Sequence, residues 1–186
     1  QPEPDLLLAD RLLVDAGRLG VAALLCINKI DLAEPEDISG LARQYAGWTV
    51  CRVSALTGEG VDDLAQCLSG RTACLAGQSG TGKTSLLGAI TRAIPDDERI
   101  VVIEDTSELR LRQAHCLYLE ARHADASGRG ALNQRQLFIN SLRMRPDRII
   151  VGEVRAGEAL DLVQSMISGH SGSLSTIHAT TPLDAL

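Results

Sequence analysis

One segment of the chain combines glycines, a lysine and a hydroxyl side chain at a spacing that binds phosphate. Residues 77–84 read GQSGTGKT, which fits the pattern G-x-x-x-x-G-K-[ST]. Glycines let consecutive backbone N–H groups turn inward, and the N-terminus of a following helix adds partial positive charge. Lys83 would then reach the β and γ phosphates, and the Thr84 hydroxyl would bind Mg²⁺. The pattern therefore predicts a nucleotide site rather than a glycine turn with an incidental lysine.

A second segment, CINKID, has the residue types that read a guanine base. It is an apolar run that ends in Asn28, Lys29 and Asp31, and the pair Ser54 and Ala55 follows one strand later. A carboxylate that accepts hydrogen bonds from guanine gains about 1.5–3 kcal/mol per charge-assisted bond, enough for a preference of about tenfold to hundredfold. Alone, NKID could be a strand followed by a charged turn. With S-A and a phosphate loop behind it, we interpret it as a base reader.

Carboxylates that could act in hydrolysis end two other apolar runs. RIIVGE ends in Glu153, our candidate for orienting and activating an attacking water, although it could instead cap the next helix or pair with Arg155. RIVVIED ends in Glu104 and Asp105, which taken alone would be capping or turn carboxylates.

Histidines and arginines give further candidates, each with an ordinary explanation beside it. His170 and His178 come at loop and strand edges, where a structural role fits as well as sensing of the γ-phosphate. Arg110, Arg112 and Arg122 could neutralise that phosphate as arginine fingers do, but surface arginines are common.

The composition favours one α/β domain. The 186 residues are 45% hydrophobic but only 2% aromatic, so aliphatic side chains must fill the interior of a sheet covered by helices. The net charge of -6 argues against a surface that binds nucleic acid or anionic lipid throughout. No apolar run approaches the ~18 residues of a membrane span and no signal peptide is visible, so we expect a cytoplasmic protein. Five cysteines without a C-x-x-C pair predict reduced, buried thiols.

Strands alternate with helices along the chain, which predicts a three-layer, mostly parallel α/β sheet with right-handed crossovers. The predicted strands are residues 21–28, 49–55, 72–77, 99–104, 148–153 and 173–178, with 116–122 as a further candidate. The predicted helices are residues 6–19, 34–47, 61–68, 84–94, 132–144 and 158–167.

Up to the phosphate loop, the chain resembles the ribosome-small-subunit-dependent, circularly permuted GTPases. DLLLADRLLVDAGRLGV, NKIDL, VSALTGEGVDDL and GQSG stand in the order of that family, with the base reader ahead of the loop. The resemblance implies that Asp31 holds the N1 and N2 hydrogens of guanine, that Asn28 and Lys29 brace the base, and that the backbone at Ser54 and Ala55 approaches O6. The family's first strand and its switch segments have no convincing counterpart here.

Beyond the loop, the chain resembles the type II and IV secretion ATPases, closest to those of Tad-type pili. The resemblance is carried by RIVVIEDTSELRL and by LRMRPDRIIVGEVRAGEALDLVQSMISGHSGSLSTIHAT. It implies an acidic box at residues 103–105, a Walker B region at 149–153 and a histidine box at 169–178. One of Glu104 and Asp105 would hold Mg²⁺ through water or polarise the nucleophile. The family's amino-terminal domain and carboxy-terminal helices, which supply much of its ring-forming surface, are not recognised here.

The two resemblances meet inside the phosphate loop, so we interpret residues 1–186 as a single chimeric domain, with a GTPase-like part at 1–80 and an ATPase-like part at 81–186. Because the chain begins at Gln1 rather than Met, we expect an excised or engineered fragment. The predicted strand order is 49–55, 21–28, 72–77, 173–178, 148–153, 99–104. It places the glycine loop near the sheet centre, at the carboxyl ends of the strands where ligands of such sheets bind.

The expected function is Mg²⁺-dependent binding of GTP or GDP with slow hydrolysis. The alternatives are a secretion-type fragment that uses ATP or ADP, and an engineered or recombined chimera that binds nucleotide without physiological activity. Neither a ribosome nor a secretion machine can be inferred as partner, and a homo-oligomer is open. The catalytic candidates are Glu153, Lys83 and Glu104, and the metal candidates are Thr84 and Asp105. The nucleotide-binding candidates are Gly77, Gln78, Ser79, Gly80, Thr81, Gly82, Lys83, Thr84, Ser85, Asn28, Lys29, Asp31, Ser54 and Ala55.

Overall fold

The structure, a computed structural model, describes residues 4–154 and 172–178. The α-helices in these ranges are α1 (Leu6–Leu19), α2 (Pro35–Gln44), α3 (Val61–Leu68), α4 (Lys83–Ile90) and α5 (Gln134–Ser141). The strands there are β1 (Leu24–Ile27), β2 (Thr49–Arg52), β3 (Ala73–Gly77), β4 (Ile100–Glu104), β5 (Cys116–Glu120), β6 (Arg148–Val154) and β7 (Leu174–His178). These elements confirm the corresponding predictions, with ends that differ by a few residues. The predicted helix at 158–167 and His170 lie outside the described residues.

Local capping explains where the helices begin and end. The Asp5 side chain accepts a hydrogen bond from the backbone N–H of Leu8 at 2.9 Å, and α1 ends at Gly20 in the left-handed conformation. Asn133 and Gln136 form a reciprocal capping box at the start of α5. Such side chains satisfy backbone groups that a helix end leaves without partners.

The larger sheet has the order β3-β7-β6-β4-β5, and every neighbouring pair is parallel. The predicted order of the four strands from 72–77 to 99–104 is therefore confirmed, and the candidate segment at 116–122 adds β5 outside β4. Since the strands are parallel, their carboxyl ends lie at one edge. That edge gathers Gly77, Glu104, Glu153 and His178.

β1 and β2 form a separate two-stranded parallel sheet, so the predicted pairing of 21–28 with 72–77 is wrong. β1 ends at Ile27, and the residue after it reaches the phosphate loop through its side chain rather than through a backbone ladder. β3 is consequently an edge strand, and Cys74 on it is exposed. Cys67 near the end of α3 is exposed as well, so the expectation of buried thiols is wrong for these two cysteines.

Two hydrophobic clusters cover the two faces of the larger sheet. One contains Cys51 of β2, Leu87 of α4 and Val102 of β4, so it also joins the smaller sheet to the larger one. The other packs Phe138 of α5 against Val101 and its neighbours. Successive residues of β4 thus face opposite layers, as in a three-layer α/β fold. None of the helices described here is long and apolar enough to cross a membrane.

Candidate functional site

The phosphate loop joins β3 to α4 and is shaped by glycines in the left-handed region. Gly80 has φ 77° and Gly82 has φ 86°, conformations that L side chains rarely adopt. The Lys83 ammonium folds back over the loop and donates to the carbonyls of Gly77 at 2.7 Å and Gln78 at 2.9 Å. Gly82 precedes α4 without a side-chain cap, so the N–H groups of the first turn have no side-chain acceptor there. The arrangement is suited to an anion.

Lys83 is half-buried at the start of α4, close to the end of β6. Burial lowers the pKa of its ammonium group, and the charge of Glu153 opposes this shift. A polyphosphate in the loop would favour the charged form in the same way that Glu153 does. Anion binding and protonation of Lys83 therefore reinforce each other.

Asn28 connects the base-reading segment to the phosphate loop. Its Nδ2 donates to the Thr81 carbonyl at 2.9 Å, while its Oδ1 accepts from the backbone N–H groups of Lys29 at 2.8 Å and Ala55 at 3.2 Å. A Cβ on Gly82 would lie 2.7 Å from Asn28 Nδ2, so this position needs glycine for space as well as for its backbone angle. One amide side chain thus holds three segments together.

The other predicted base-reading residues lie around Asn28. Lys29 adopts the left-handed conformation, with φ 65°, and its Nζ donates to the Gly80 carbonyl at 2.6 Å. The Asp31 side chain is exposed, and its Oδ1 accepts from the Ser54 hydroxyl at 2.5 Å. Sequence reasoning missed this hydroxyl contact, although a buried serine between Val53 and Ala55 needs a hydrogen-bond partner. The structure therefore brings NKID, S-A and the phosphate loop into one site.

Glu153 lies beside a bulge in β6, at the carboxyl edge of the larger sheet where the phosphate loop begins. The pairing of β6 with β7 shifts between Val151 and Glu153, which leaves Gly152 as the extra residue. A Cβ on Gly152 would lie 3.0 Å from Cγ of Glu104, so a larger residue here would press against the Glu104 side chain. Glu153 Oε1 lies 3.4 Å from His178 Nδ1, and His178 is in register with Gly77.

Glu104 is engaged in shaping the turn after β4. Its carboxylate is buried, and Oε1 accepts from the backbone N–H groups of Glu108 at 3.1 Å and Leu109 at 3.0 Å. These contacts fit the ordinary interpretation of a turn carboxylate, and a catalytic role for Glu104 stays a prediction. Asp105 follows the same strand, which is three positions from β3 in the sheet, or roughly 14 Å at ordinary strand spacing.

Mg²⁺ at a nucleotide site takes one or two protein oxygens together with phosphates and water, not a cage of protein ligands. Thr84 lies in the first turn of α4, beside Lys83, and the Glu153 carboxylate is close enough to influence the Lys83 charge. These hard oxygen donors fit Mg²⁺. Among residues 4–154 and 172–178, no group of three or more His, Cys, Asp or Glu side chains could hold a metal by itself. Of the two predicted metal residues, Thr84 lies next to the phosphate loop, whereas Asp105 follows a strand three positions away in the sheet. Thr84 is therefore better placed to bind an Mg²⁺ ion that also contacts the phosphates.

Two families match the chain, and both matches include the phosphate loop. Residues 56–186 match the family described as Type II/IV secretion system protein, and residues 1–108 match the family RsgA GTPase. Both resemblances expected from the sequence are therefore confirmed.

Similar proteins include VirB11, a type IV secretion system protein of Bartonella henselae. It is 44% identical over 112 residues, which cover 60% of this chain and 31% of that protein. PtlH, a type IV secretion system protein of Bordetella pertussis, is 45% identical over 120 residues, which cover 61% and 34%. The chain thus spans about a third of the length of these relatives.

Among solved structures, the VirB11 ATPase of Brucella suis in complex with sulphate has a TM-score of 0.54 and 31% identity, covering 79% of this chain and 39% of that one. YjeQ of Thermotoga maritima is 34% identical over 50% of this chain and 35% of its own, with a TM-score of 0.46. The chain therefore belongs to the Type II/IV secretion system protein family through residues 56–186 and to the RsgA GTPase family through residues 1–108, with the fold of a P-loop NTPase.

Proposed function

We propose that the chain binds a nucleoside di- or triphosphate together with Mg²⁺, prefers guanine, and hydrolyses the triphosphate slowly. The supporting observation is the pair of hydrogen bonds from Asn28 and Lys29 to the carbonyls of Thr81 and Gly80. Because the base-reading segment contacts the phosphate loop directly, one nucleotide can engage both.

The phosphate end of the ligand would meet backbone N–H groups of residues 77–84 and the Lys83 ammonium. Lys83 now donates to two loop carbonyls, and it would exchange them for phosphate oxygens, which form stronger charge-assisted bonds. Mg²⁺, when bound, supplies neutralisation of phosphate charge, and the Thr84 hydroxyl would hold it. Asp105 would act only through water, given its distance across the sheet.

The base end of the ligand would meet Asp31. Its carboxylate is exposed and is oriented through one oxygen by the buried Ser54 hydroxyl. Guanine presents two N–H donors on its Watson–Crick edge, whereas adenine has no pair of donors that one carboxylate can accept. Because the Asp31 carboxylate is oriented before guanine binds, forming the contact costs less entropy. The preference for guanine over adenine increases accordingly.

Hydrolysis would depend on Glu153, which the β6 bulge places near Lys83 and His178. A carboxylate at that point can orient a water for attack on the terminal phosphate. We expect slow turnover because no switch segment is recognised in the chain, and charge stabilisation in the transition state is usually the largest catalytic term.

A second candidate is ATP hydrolysis by a secretion-type fragment whose first part is only a scaffold. It is supported by the family match of residues 56–186 and by the pairing of Glu153 with His178. A third candidate, a recombined chimera that binds nucleotide without turnover, would keep the phosphate loop only as structure. A homo-oligomer stays a prediction under each of them.

The experiment compares fluorescent GDP and ADP in the presence of Mg²⁺. We expect GDP to bind about tenfold to hundredfold more tightly, and Asp31→Asn to remove this preference while ADP affinity changes little. Asp97→Asn, at an exposed turn on another part of the surface, is the matched control. Equal affinities in the wild type, or an unchanged preference in Asp31→Asn, would exclude guanine reading.

Two further variants separate the candidates. Loss of ATP hydrolysis in Glu153→Gln, with Asp31→Asn unaffected, would support the secretion-type alternative. Nucleotide binding without any turnover, unchanged in Glu153→Gln, would support the inactive chimera. If Lys83→Ala keeps full triphosphate affinity, the phosphate loop is not the site and all three candidates fail.

A further inference from the structure

Three cysteines lie where β1, β2 and α3 pack together, and we propose that two of them, Cys51 and Cys67, form a reversible disulfide when a peroxide oxidises the chain. Cys26 of β1 is the in-register partner of Cys51 of β2, and Cys67 belongs to the last turn of α3. None of the three thiols has a part in the proposed binding of nucleotide. The pair is therefore a candidate site of modification in its own right.

The packing of α3 on the smaller sheet brings the thiols of Cys51 and Cys67 together. Leu64 of α3 lies in the same hydrophobic cluster as Cys51, and Leu68 packs against that cluster as well. Cys67 comes three residues after Leu64, so it lies on the same face of the helix. A side-chain hydrogen bond joins the thiols of Cys51 and Cys67. The two sulfur atoms are thus neighbours before any oxidation takes place.

The two thiols differ in their access to solvent, which gives each of them a different role. Cys67 is exposed, whereas Cys51 is buried. Burial raises the pKa of the Cys51 thiol to about 11, with smaller contributions from the charge of Cys67, the hydrogen bond between them and the charge of Asp63. Cys51 therefore stays protonated, and a dissolved oxidant meets Cys67 first. Burial, followed by the charge of Cys51, raises the pKa of Cys26 to about 12, so this third thiol is also protonated.

Two other uses of these thiols do not fit the structure. Clustered thiols can bind a metal, but within residues 4–154 and 172–178 no group of three or more His, Cys, Asp or Glu side chains could hold one. Cys74 is also exposed, but it lies on β3 between Ala73 and Leu75, which both pack against the core cluster. Because side chains alternate along a strand, Cys74 faces away from that cluster. The partner available to Cys67 within the cluster is therefore Cys51.

The oxidation proceeds in two steps with hydrogen peroxide as the oxidant. The Cys67 thiolate attacks one peroxide oxygen, the O–O bond breaks, and a sulfenic acid forms on Cys67 while hydroxide leaves. The Cys51 sulfur then attacks the Cys67 sulfur and the S–O bond breaks, so the hydroxyl leaves with the Cys51 proton as water. The disulfide closes a loop over residues 51–67, which includes Ser54 and Ala55. Oxidation would thereby tie α3 to β2 across the turn that carries these two residues.

The experiment treats the reduced chain, at low concentration and without nucleotide, with hydrogen peroxide and maps disulfides by mass spectrometry of unreduced peptides. Peptides joined through Cys51 and Cys67 should appear, and dithiothreitol should separate them again. Cys67→Ser should abolish this link. Cys74→Ser is the matched control, because it removes an exposed thiol that faces away from the cluster, and it should form the link as the wild type does.

Cys67 is exposed, so Cys67→Ser keeps the test informative if Cys51→Ser loses its fold, which thermal unfolding would reveal. A folded Cys51→Ser should stop at the sulfenic acid on Cys67, which dimedone labels. A link between Cys51 and Cys26, a link that forms only between two chains, or no link at all in the wild type would overturn the proposal. The result is independent of guanine preference, which is measured with GDP and ADP on the reduced chain.

Discussion

At the scale of single residues, Asn28 has a larger structural role than its place in a base-reading motif requires. Its amide makes three hydrogen bonds, to a phosphate-loop carbonyl and to two backbone N–H groups of the base-reading segments. Because both ends of the amide are used, the side chain fixes the position of β1 relative to the loop. The proposed base-reading segment and the phosphate loop are thus joined through one side chain.

We predict that Asn28→Ala lowers the free energy of unfolding by about 2–3 kcal/mol, since three partly buried hydrogen bonds are lost at about 1 kcal/mol each. Urea denaturation would measure the change. Asn140→Ala is the control, because the Asn140 side chain donates an exposed hydrogen bond to the Gln136 carbonyl within α5. It should cost less than about 1 kcal/mol. Equal losses in the two variants would contradict the role assigned to Asn28.

At the scale of elements, the turn between β2 and α3 depends on two glycines for different reasons. Both are in the left-handed region, Gly58 with φ 87° and Gly60 with φ 69°. A Cβ on Gly60 would lie 2.0 Å from the carbonyl oxygen of Arg52, whereas a Cβ on Gly58 would meet nothing within 4 Å. The start of α3 is therefore packed directly onto the β2 backbone, next to Ser54 and Asp31.

We predict that Gly60→Ala lowers the free energy of unfolding by about 3 kcal/mol or more, because the backbone must move to relieve the clash. Gly58→Ala should lower the free energy of unfolding by only about 1–2 kcal/mol, the cost of holding an alanine in the left-handed conformation. Thermal or urea unfolding of the pair separates the steric contribution from the conformational one. Similar losses of stability in the two variants would mean that the backbone can move away from the Arg52 carbonyl at no cost in free energy.

At the scale of the whole molecule, two separate sheets share one hydrophobic core. The cluster that contains Leu64 and Val53 near the smaller sheet also contains Leu87 of α4 and Ile100 of β4. Neither sheet can lose its packing without exposing part of this cluster. A shared core therefore supports the proposal that residues 1–186 unfold as one domain.

We predict that unfolding is a single transition. Trp48 is the only tryptophan, and it lies just before β2, so its fluorescence reports on the smaller sheet, whereas far-UV circular dichroism follows the helices and both sheets. Urea midpoints from the two signals should coincide, as they do when one cooperative unit unfolds. An earlier fluorescence transition would show that the smaller sheet detaches first and that the chain has two units.

Local sequence patterns were sufficient to predict the parts of the fold that depend on residues close together in the chain. The glycine loop and the positions of α1 and α3 follow from motif spacing and apolar periodicity. The four-strand order from β3 to β4 was predicted from the family resemblance. The absence of pairing between β1 and β3, the place of β5 outside β4 and the Gly152 bulge could not be predicted, because each depends on contacts between segments far apart in the chain.

The sequence by itself determined that the chain has a phosphate loop between a strand and a helix, because glycine, lysine and hydroxyl residues at that spacing permit few other arrangements. It also determined that NKID and S-A precede the loop. Only the tertiary structure decided that β1 reaches the loop through Asn28 and Lys29 instead of joining the larger sheet, and that Glu104 is held by the turn after β4. The physical reason is that side-chain hydrogen bonds and strand pairing are chosen by distance in space, which spacing along the chain does not specify.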